Sequence, residues 1–210
     1  RRRLQLALAA AASLFALLEA ARAYGVWPLA ASLQRGCVRF IDSRDGGALV
    51  LTHQYLLLGC GLPVLLVDIY PPAHAAGVGN DTWRGGERRL HGGSLPSVAL
   101  PLAGILVLGV GDAMASSIGT RFGSMRWPGG GGKTLEGSAA AWASMLLVVG
   151  LVHAAVRTEP PPAEDWLRVG TAAAAASALE ALTHQIDNLF LPPVFLAMLL
   201  LLSPGDGTGA

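Results

Sequence analysis

Six long apolar runs, separated by polar or glycine-rich sequence, constrain this chain more than any other feature. They fall at roughly Leu4–Ala23, Leu49–Val67, Leu95–Ile118, Ser138–Val156, Trp166–Leu182 and Leu189–Leu202. A helix needs about 20 apolar residues to cross about 30 Å of hydrocarbon. The last run is short for that and fits a tilted or re-entrant segment. Unpaired backbone groups are too costly in lipid for anything but helices or a closed barrel, and the runs lack the alternation of barrel strands. The sequence therefore predicts an all-α fold: a polytopic transmembrane helical bundle with about six spans over residues 1–202, then a disordered tail at 203–210. Charged residues are 14% of the chain, against about 25% in soluble domains, which makes membrane lipids the solvent. A formal net charge of +1 gives no general attraction for nucleic acid, which is not expected as a partner.

The flanking sequence refines this. The first residue is Arg1, so the chain reads as truncated or processed. The first run is too long for a signal peptide and holds Glu19 and Arg22 where a small-residue cleavage site would stand. Those two residues are three apart and are expected to pair. Cys37 and Cys60 fit no disulfide framework or metal motif. The segment Asp68–Ser94 is Gly-rich and reads as a flexible loop, with a glycosylation sequon at Asn80-Asp81-Thr82. Pro160–Pro162 forces an extended connector. Six spans would put the loops near 24–48, 119–137 and 183–188 on one side, so their polar residues can share a site. Basic residues divide nearly evenly between the sides and leave orientation open.

The chemistry concentrates in Gly109–Gly137, GVGDAMASSIGTRFGSMRWPGGGGKTLEG. Asp112 stands at the end of an apolar run, where a carboxylate is costly and a functional candidate. Ser116 lies one turn on, on the same face. The helix is expected to break at Gly119 into a loop carrying Arg121, Arg126, Gly129 and Lys133. Glycines let backbone N–H groups approach an anion, cations beside them offset phosphate charge, and a nearby carboxylate suits a Mg²⁺ ion. This is not a Walker A loop: counting back from Gly132-Lys133-Thr134, the first glycine would fall at Trp127. Taken alone, the segment also reads as a flexible polar connection. Two further polar clusters are Asp42, Arg44 and Asp45, which equally suit an interfacial ion pair, and LEALTHQIDNLFL at Leu179–Leu191. On one helix Glu180, Thr183 and Asp187 would share a face, as site acids or as a bundle-internal network.

At these residues the sequence resembles the dolichol kinase family. The matching blocks are FIDSRDGGALVLTHQYLLLG (Phe40–Gly59), GVGDAMASSIGTRFGSMRWPG (Gly109–Gly129), KTLEG (Lys133–Gly137) and LEALTHQIDNLFLP (Leu179–Pro192), in family order and spacing. The resemblance implies the catalytic C-terminal portion of a multi-pass endoplasmic reticulum enzyme. Its active site would face the cytosol and move the γ-phosphate of CTP onto the terminal hydroxyl of dolichol or a related polyprenol. It carries the CTP-binding loop over to Gly119–Glu136, with Ser116, Gly119, Arg121, Arg126, Gly129, Lys133, Thr134 and Glu136 as CTP-binding residues. Asp112, Asp187 and Lys133 are the expected catalytic residues, and Asp112 the expected Mg²⁺ ligand. Where the family loop reads close to W-P-G-T-K-K-T-F-E-G, this chain has WPGGGGKTLEG, with one extra residue and a single lysine. Two alternatives stand beside this reading. One is a CTP:lipid cytidylyltransferase; the other is a transporter using Asp112, Glu180 and Asp187 as an ion path.

Overall fold

The computed structural model describes residues 2–37, 52–69, 94–129, 131–183 and 187–202. Among them seven helices follow in order: α1 (Arg2–Ala23), α2 (Leu29–Cys37), α3 (Thr52–Ile69), α4 (Leu95–Phe122), α5 (Leu135–Val156), α6 (Ala163–Leu182) and α7 (Asp187–Leu202). The Asp42–Arg44–Asp45 cluster, the Asn80 sequon, Gly130, His184 and the tail at 203–210 lie outside the described residues.

The six apolar runs are six helices, but three of them are long and apolar enough to cross a membrane. These are Gln5–Ala23, Leu95–Phe122 and Leu135–Val156. The apolar parts of α3 and α7 are shorter, Gln54–Leu66 and Asn188–Leu202. Helix α6 is diluted by Glu164, Asp165, Arg168 and Glu180. A helix the sequence did not announce, α2, follows the turn after α1. Arg22 holds it there: its Nη1 donates to Gln34 Oε1 at 2.8 Å. The same guanidinium pairs with Glu19 at 2.6 Å, as the spacing suggested.

Helix α4 is the centre of the bundle and touches α3, α5, α6 and α7. Every fourth residue of α5 from Gly137 through Ala141, Met145 and Val149 to His153 is buried, so one face looks inward along five turns. Val169, Ala172, Ala173 and Ala176 of α6 and Leu191, Phe195 and Leu199 of α7 complete one core. The outward faces expose Leu147, Leu151, Leu167 and Leu201. In lipid such faces cost nothing, and burying them gains little, because the tails are as apolar as leucine. Close packing must therefore supply the cohesion.

Glycines allow that packing. A Cβ on Gly104 of α4 would lie 2.6 Å from the Gly59 carbonyl oxygen of α3. A Cβ on Gly59 would collide with the Asn188 carbonyl of α7 and lie 2.9 Å from Leu108 Cδ1. Three helices thus meet where two residues have no side chain. Between Gly104 and Asp112 the central rod also widens: Ile105–Asp112 is a π-helical stretch. Gly111 within it sits against Met145, whose sulfur would be 3.2 Å from an added Cβ.

One end of α4 is fixed by a buried acid. Asp165, at the start of α6, accepts a hydrogen bond from the Leu95 amide at 2.9 Å and pairs with Arg168 at 2.9 Å. The first N–H groups of a helix have no partner of their own and favour negative charge. Asp165 therefore caps α4 across 70 residues of sequence.

Substituting Gly104 by Val should destabilise the bundle by about 3 kcal/mol, the upper range for forcing volume into a packed contact. Gly170→Ala, where an added Cβ meets nothing within 4 Å, is the control and should be near neutral. Thermal inactivation of the detergent-solubilised protein, followed by size-exclusion recovery, measures both.

Candidate functional site: a glycine-tipped hairpin at the end of the central helix

Helix α4 runs past Gly119 and ends at Phe122. The expected break at Gly119 is absent because that glycine serves packing: an added Cβ would lie 3.0 Å from Thr134 Oγ1 and 3.6 Å from the Gly137 Cα. The chain turns instead at Gly123, whose backbone is extended (φ −68°, ψ 117°) and whose N–H is bonded to the Gly119 carbonyl. A Cβ on Gly137 would meet the Ala115 carbonyl oxygen at 2.7 Å. Small residues on both helices thus bring the end of α4 onto the start of α5.

Between them the chain forms a short hairpin. The Trp127 amide donates to the Lys133 carbonyl at 3.0 Å, and the Leu135 amide to the Met125 carbonyl at 2.8 Å. Gly129, Gly131 and Gly132 at its tip have φ of 76°, 58° and 102°, a left-handed backbone that glycine adopts without steric cost. Two side chains, from the cap and the first turn of α5, secure the base. Thr134 caps the helix by accepting from the Gly137 amide at 3.2 Å. Glu136 accepts from the Ser124 and Met125 amides, each at 3.0 Å, and from the Ser124 hydroxyl. Trp127 Nε1 donates to Ser138 Oγ at 3.0 Å.

Lys133 leaves the hairpin and reaches α6. Its Nζ lies 2.8 Å from Glu180 Oε1 and also donates to the Glu180 backbone carbonyl. The pair is largely sheltered, with side chains 25% and 11% exposed. Glu180 does not share a helical face with Thr183 and Asp187, as the sequence spacing suggested. Helix α6 stops at Leu182, and Thr183 turns extended (φ −96°, ψ 146°). The Thr183 hydroxyl donates to the Leu179 carbonyl at 2.9 Å, the same back-bond that Thr171 makes to Leu167 within α6. Asp187 opens α7, and its side chain lies outside the described ones.

Asp112 closes the π-helical stretch and is exposed, as are Ser116, Arg121 and Arg126. Its level along α4 follows from its neighbours. Four residues before it, Leu108 marks where α7 begins; three residues after it, Ala115 marks the base of α5. At about 1.5 Å per residue, Asp112 stands within roughly one turn of each. The start of α7, the hairpin base and the Lys133–Glu180 pair therefore lie at one end of the bundle, opposite the Asp165 cap. Among the described residues no three His, Cys, Asp or Glu side chains form a metal-binding group. Mg²⁺ typically takes one or two carboxylates, keeping waters and substrate phosphates as its other ligands, so a single carboxylate such as Asp112 fits it in company with a polyphosphate.

Sequence reasoning did not single out Asp165 or the role of Ser124. An acid in the first turn of α6 was the available signal for Asp165, but its partner is remote in sequence. For Ser124, nothing in the sequence indicated that Glu136 would fold back onto it.

The chain is similar to several dolichol kinases. It is 36% identical over 199 residues to dolichol kinase EVAN of Arabidopsis thaliana, covering 94% of this chain and 31% of that protein. It is 37% identical over 191 residues to the dolichol kinase of Homo sapiens, covering 90% and 32%. It is 30% identical over 180 residues to dolichol kinase sec59 of Schizosaccharomyces pombe, covering 85% and 31%. The chain thus spans about a third of the length of these relatives. No family model matches it, and no solved structure matches it significantly.

Replacing Glu136 by Ala should free the hairpin base, since four acceptor contacts disappear together. Limited trypsinolysis of the membrane-inserted protein should then cut after Arg126 or Lys133 severalfold faster than in the parent. Equal cutting rates would mean that Glu136 does not hold the hairpin.

Proposed function

We propose that this homologue of about a third of a dolichol kinase carries the nucleotide site and the phosphoryl-transfer centre of a CTP-dependent polyprenol kinase. The observation that carries the reading is the hairpin: left-handed glycines and Lys133 at the end of the helix that bears Asp112. Phosphoryl transfer through a loose transition state asks mainly for placement and charge stabilisation, and this end of the bundle offers groups for both.

In this reading the triphosphate of CTP rests on the backbone of Gly129, Gly131 and Gly132, whose open φ angles let N–H groups turn toward an anion. Lys133, with Arg121 and Arg126, offsets its charge. Ser116, Thr134 and Glu136 shape the site, the latter two by fixing the start of α5 and the hairpin base. Asp112 holds the divalent cation, Mg²⁺, which when bound neutralises phosphate oxygens. Asp187 accepts a hydrogen bond from the dolichol hydroxyl, orients it and takes its proton. The alcohol oxygen then bonds to the γ-phosphorus, the bond from that phosphorus to the β–γ bridging oxygen breaks, and CDP leaves. The long isoprenoid tail stays among the lipids against the apolar outer faces while its hydroxyl meets the nucleotide at the headgroups.

The reading includes six crossings of the endoplasmic reticulum membrane and a cytosol-facing site. The short apolar stretches of α3 and α7 and the charged α6 then cross inside the bundle beside α4.

Membranes carrying the full protein, given γ-labelled CTP and dolichol, should yield labelled dolichyl phosphate and CDP. Asp112→Asn should reduce this at least a hundredfold, about the size of effect found when one transition-state charge stabiliser is removed. Undiminished labelling would remove Asp112 from the site. A CMP unit on the lipid with release of pyrophosphate would assign the chain to a cytidylyltransferase. Ion flux without any nucleotide-dependent lipid product would make it a transporter.

A further inference from the structure

We infer that Glu180 is a positioning residue: it anchors the Lys133 ammonium so that the hairpin presents it in one place to the triphosphate. The inference rests on the kinase reading above.

Lysine is a point charge on a flexible four-carbon stem and carries about 2 kcal/mol of rotamer entropy. Lys133 follows directly on the left-handed Gly131 and Gly132. An ammonium at the end of such a segment has no reason of its own to stay in place. It is held by two oxygens of one residue 47 positions away, the carboxylate at 2.8 Å and the main-chain carbonyl. Both belong to the last turn of α6.

The position of Glu180 is itself informative. The C-terminal end of a helix is its negative end, and its last carbonyls lack partners. A carboxylate there is locally the wrong sign. Such violations of local preference cluster at functional sites, and here Lys133 compensates both the carboxylate and the helix-end carbonyl. Glu136 offers the contrast within the same hairpin. It stands in the first turn of α5, where a negative charge is favoured, and binds backbone amides. One glutamate thus fixes the hairpin's backbone and the other its charge. With its carboxylate engaged by Lys133, Glu180 leaves the acceptance of the alcohol proton to Asp187.

A double-mutant cycle on the full protein in membranes tests this, with CTP and dolichol varied separately. Glu180→Gln keeps the size and the carbonyl contact but removes the charge. It should raise KM for CTP about tenfold, the scale of one charge-assisted hydrogen bond, and leave KM for dolichol unchanged. Glu180→Asp should recover part of the loss. Against Lys133→Ala, adding Glu180→Gln should change activity by less than about twofold, since residues acting as one unit are not additive. Equal fractional losses in both backgrounds, or an unchanged KM for CTP, would overturn the inference while the kinase reading stands. A parent protein that makes no dolichyl phosphate from CTP would overturn both. Should Glu180→Gln fail to accumulate in the membrane, the same cycle with Glu180→Asp reads the coupling.

Discussion

Backbone-to-backbone approach is the constraint on which this bundle depends. In water, apolar faces would sort themselves by leaving the solvent. In lipid they do not, and helices associate where small residues let their axes come close. Gly59, Gly104, Gly119 and Gly137 are such places, because an added Cβ at each would meet main-chain or near-main-chain atoms of a neighbouring element. Their placement along α4 also sets levels. Gly104 fixes α3 at its middle, and Gly119 fixes α5 near its end. The polar hairpin is therefore held at a defined height by residues that have no chemistry of their own.

The outline of the fold was legible in the sequence because a lipid solvent demands long apolar runs, and such runs survive any rearrangement of their neighbours. The helix starts and ends at α1, α5, α6 and α7 lie within a few residues of the runs. What escaped was set by contacts between segments. Gly119 reads as a helix breaker from propensity, yet it lies inside α4, where the Thr134 hydroxyl and Gly137 occupy the space its side chain would need. The π-helical stretch before Asp112 has no period that distinguishes it from an α-helix in sequence. Thr183 looked like one more residue on the face of Glu180, but its own backbone is extended and α6 ends at Leu182. Glu180 and Asp187 then sit on different helices, and a shared face becomes two helix ends. For the site, the residue types and the glycine run were readable, whereas the partner of Lys133 was not.

The hairpin shows how a charged loop is kept ordered beside a membrane. Its tip is built from the residue type that loses most conformational entropy on ordering, so the base has to be strong. Glu136, Thr134 and the Trp127–Ser138 bond supply that base from a single helix turn of α5. Since α5 is also pressed onto α4 through Gly137, the order of the loop is coupled to the packing of α5 on the central helix.

The charge balance of that tip bears on what it can bind. In the kinase reading Lys133 supplies one positive charge, but Glu180 stands 2.8 Å from it, so the pair contributes little net field at a distance. Among the described residues of the loop, Arg121, Arg126 and backbone dipoles would then oppose the charge of a free triphosphate. A nucleotide that arrives with its own divalent cation asks for less, since the cation has already neutralised two charges. The loss of a second lysine relative to the family pattern is tolerable on the same ground. In the same reading, what the remaining lysine contributes is location: a single ammonium, tied to a helix end, would mark where a phosphate oxygen belongs without drawing in anions that lack a metal.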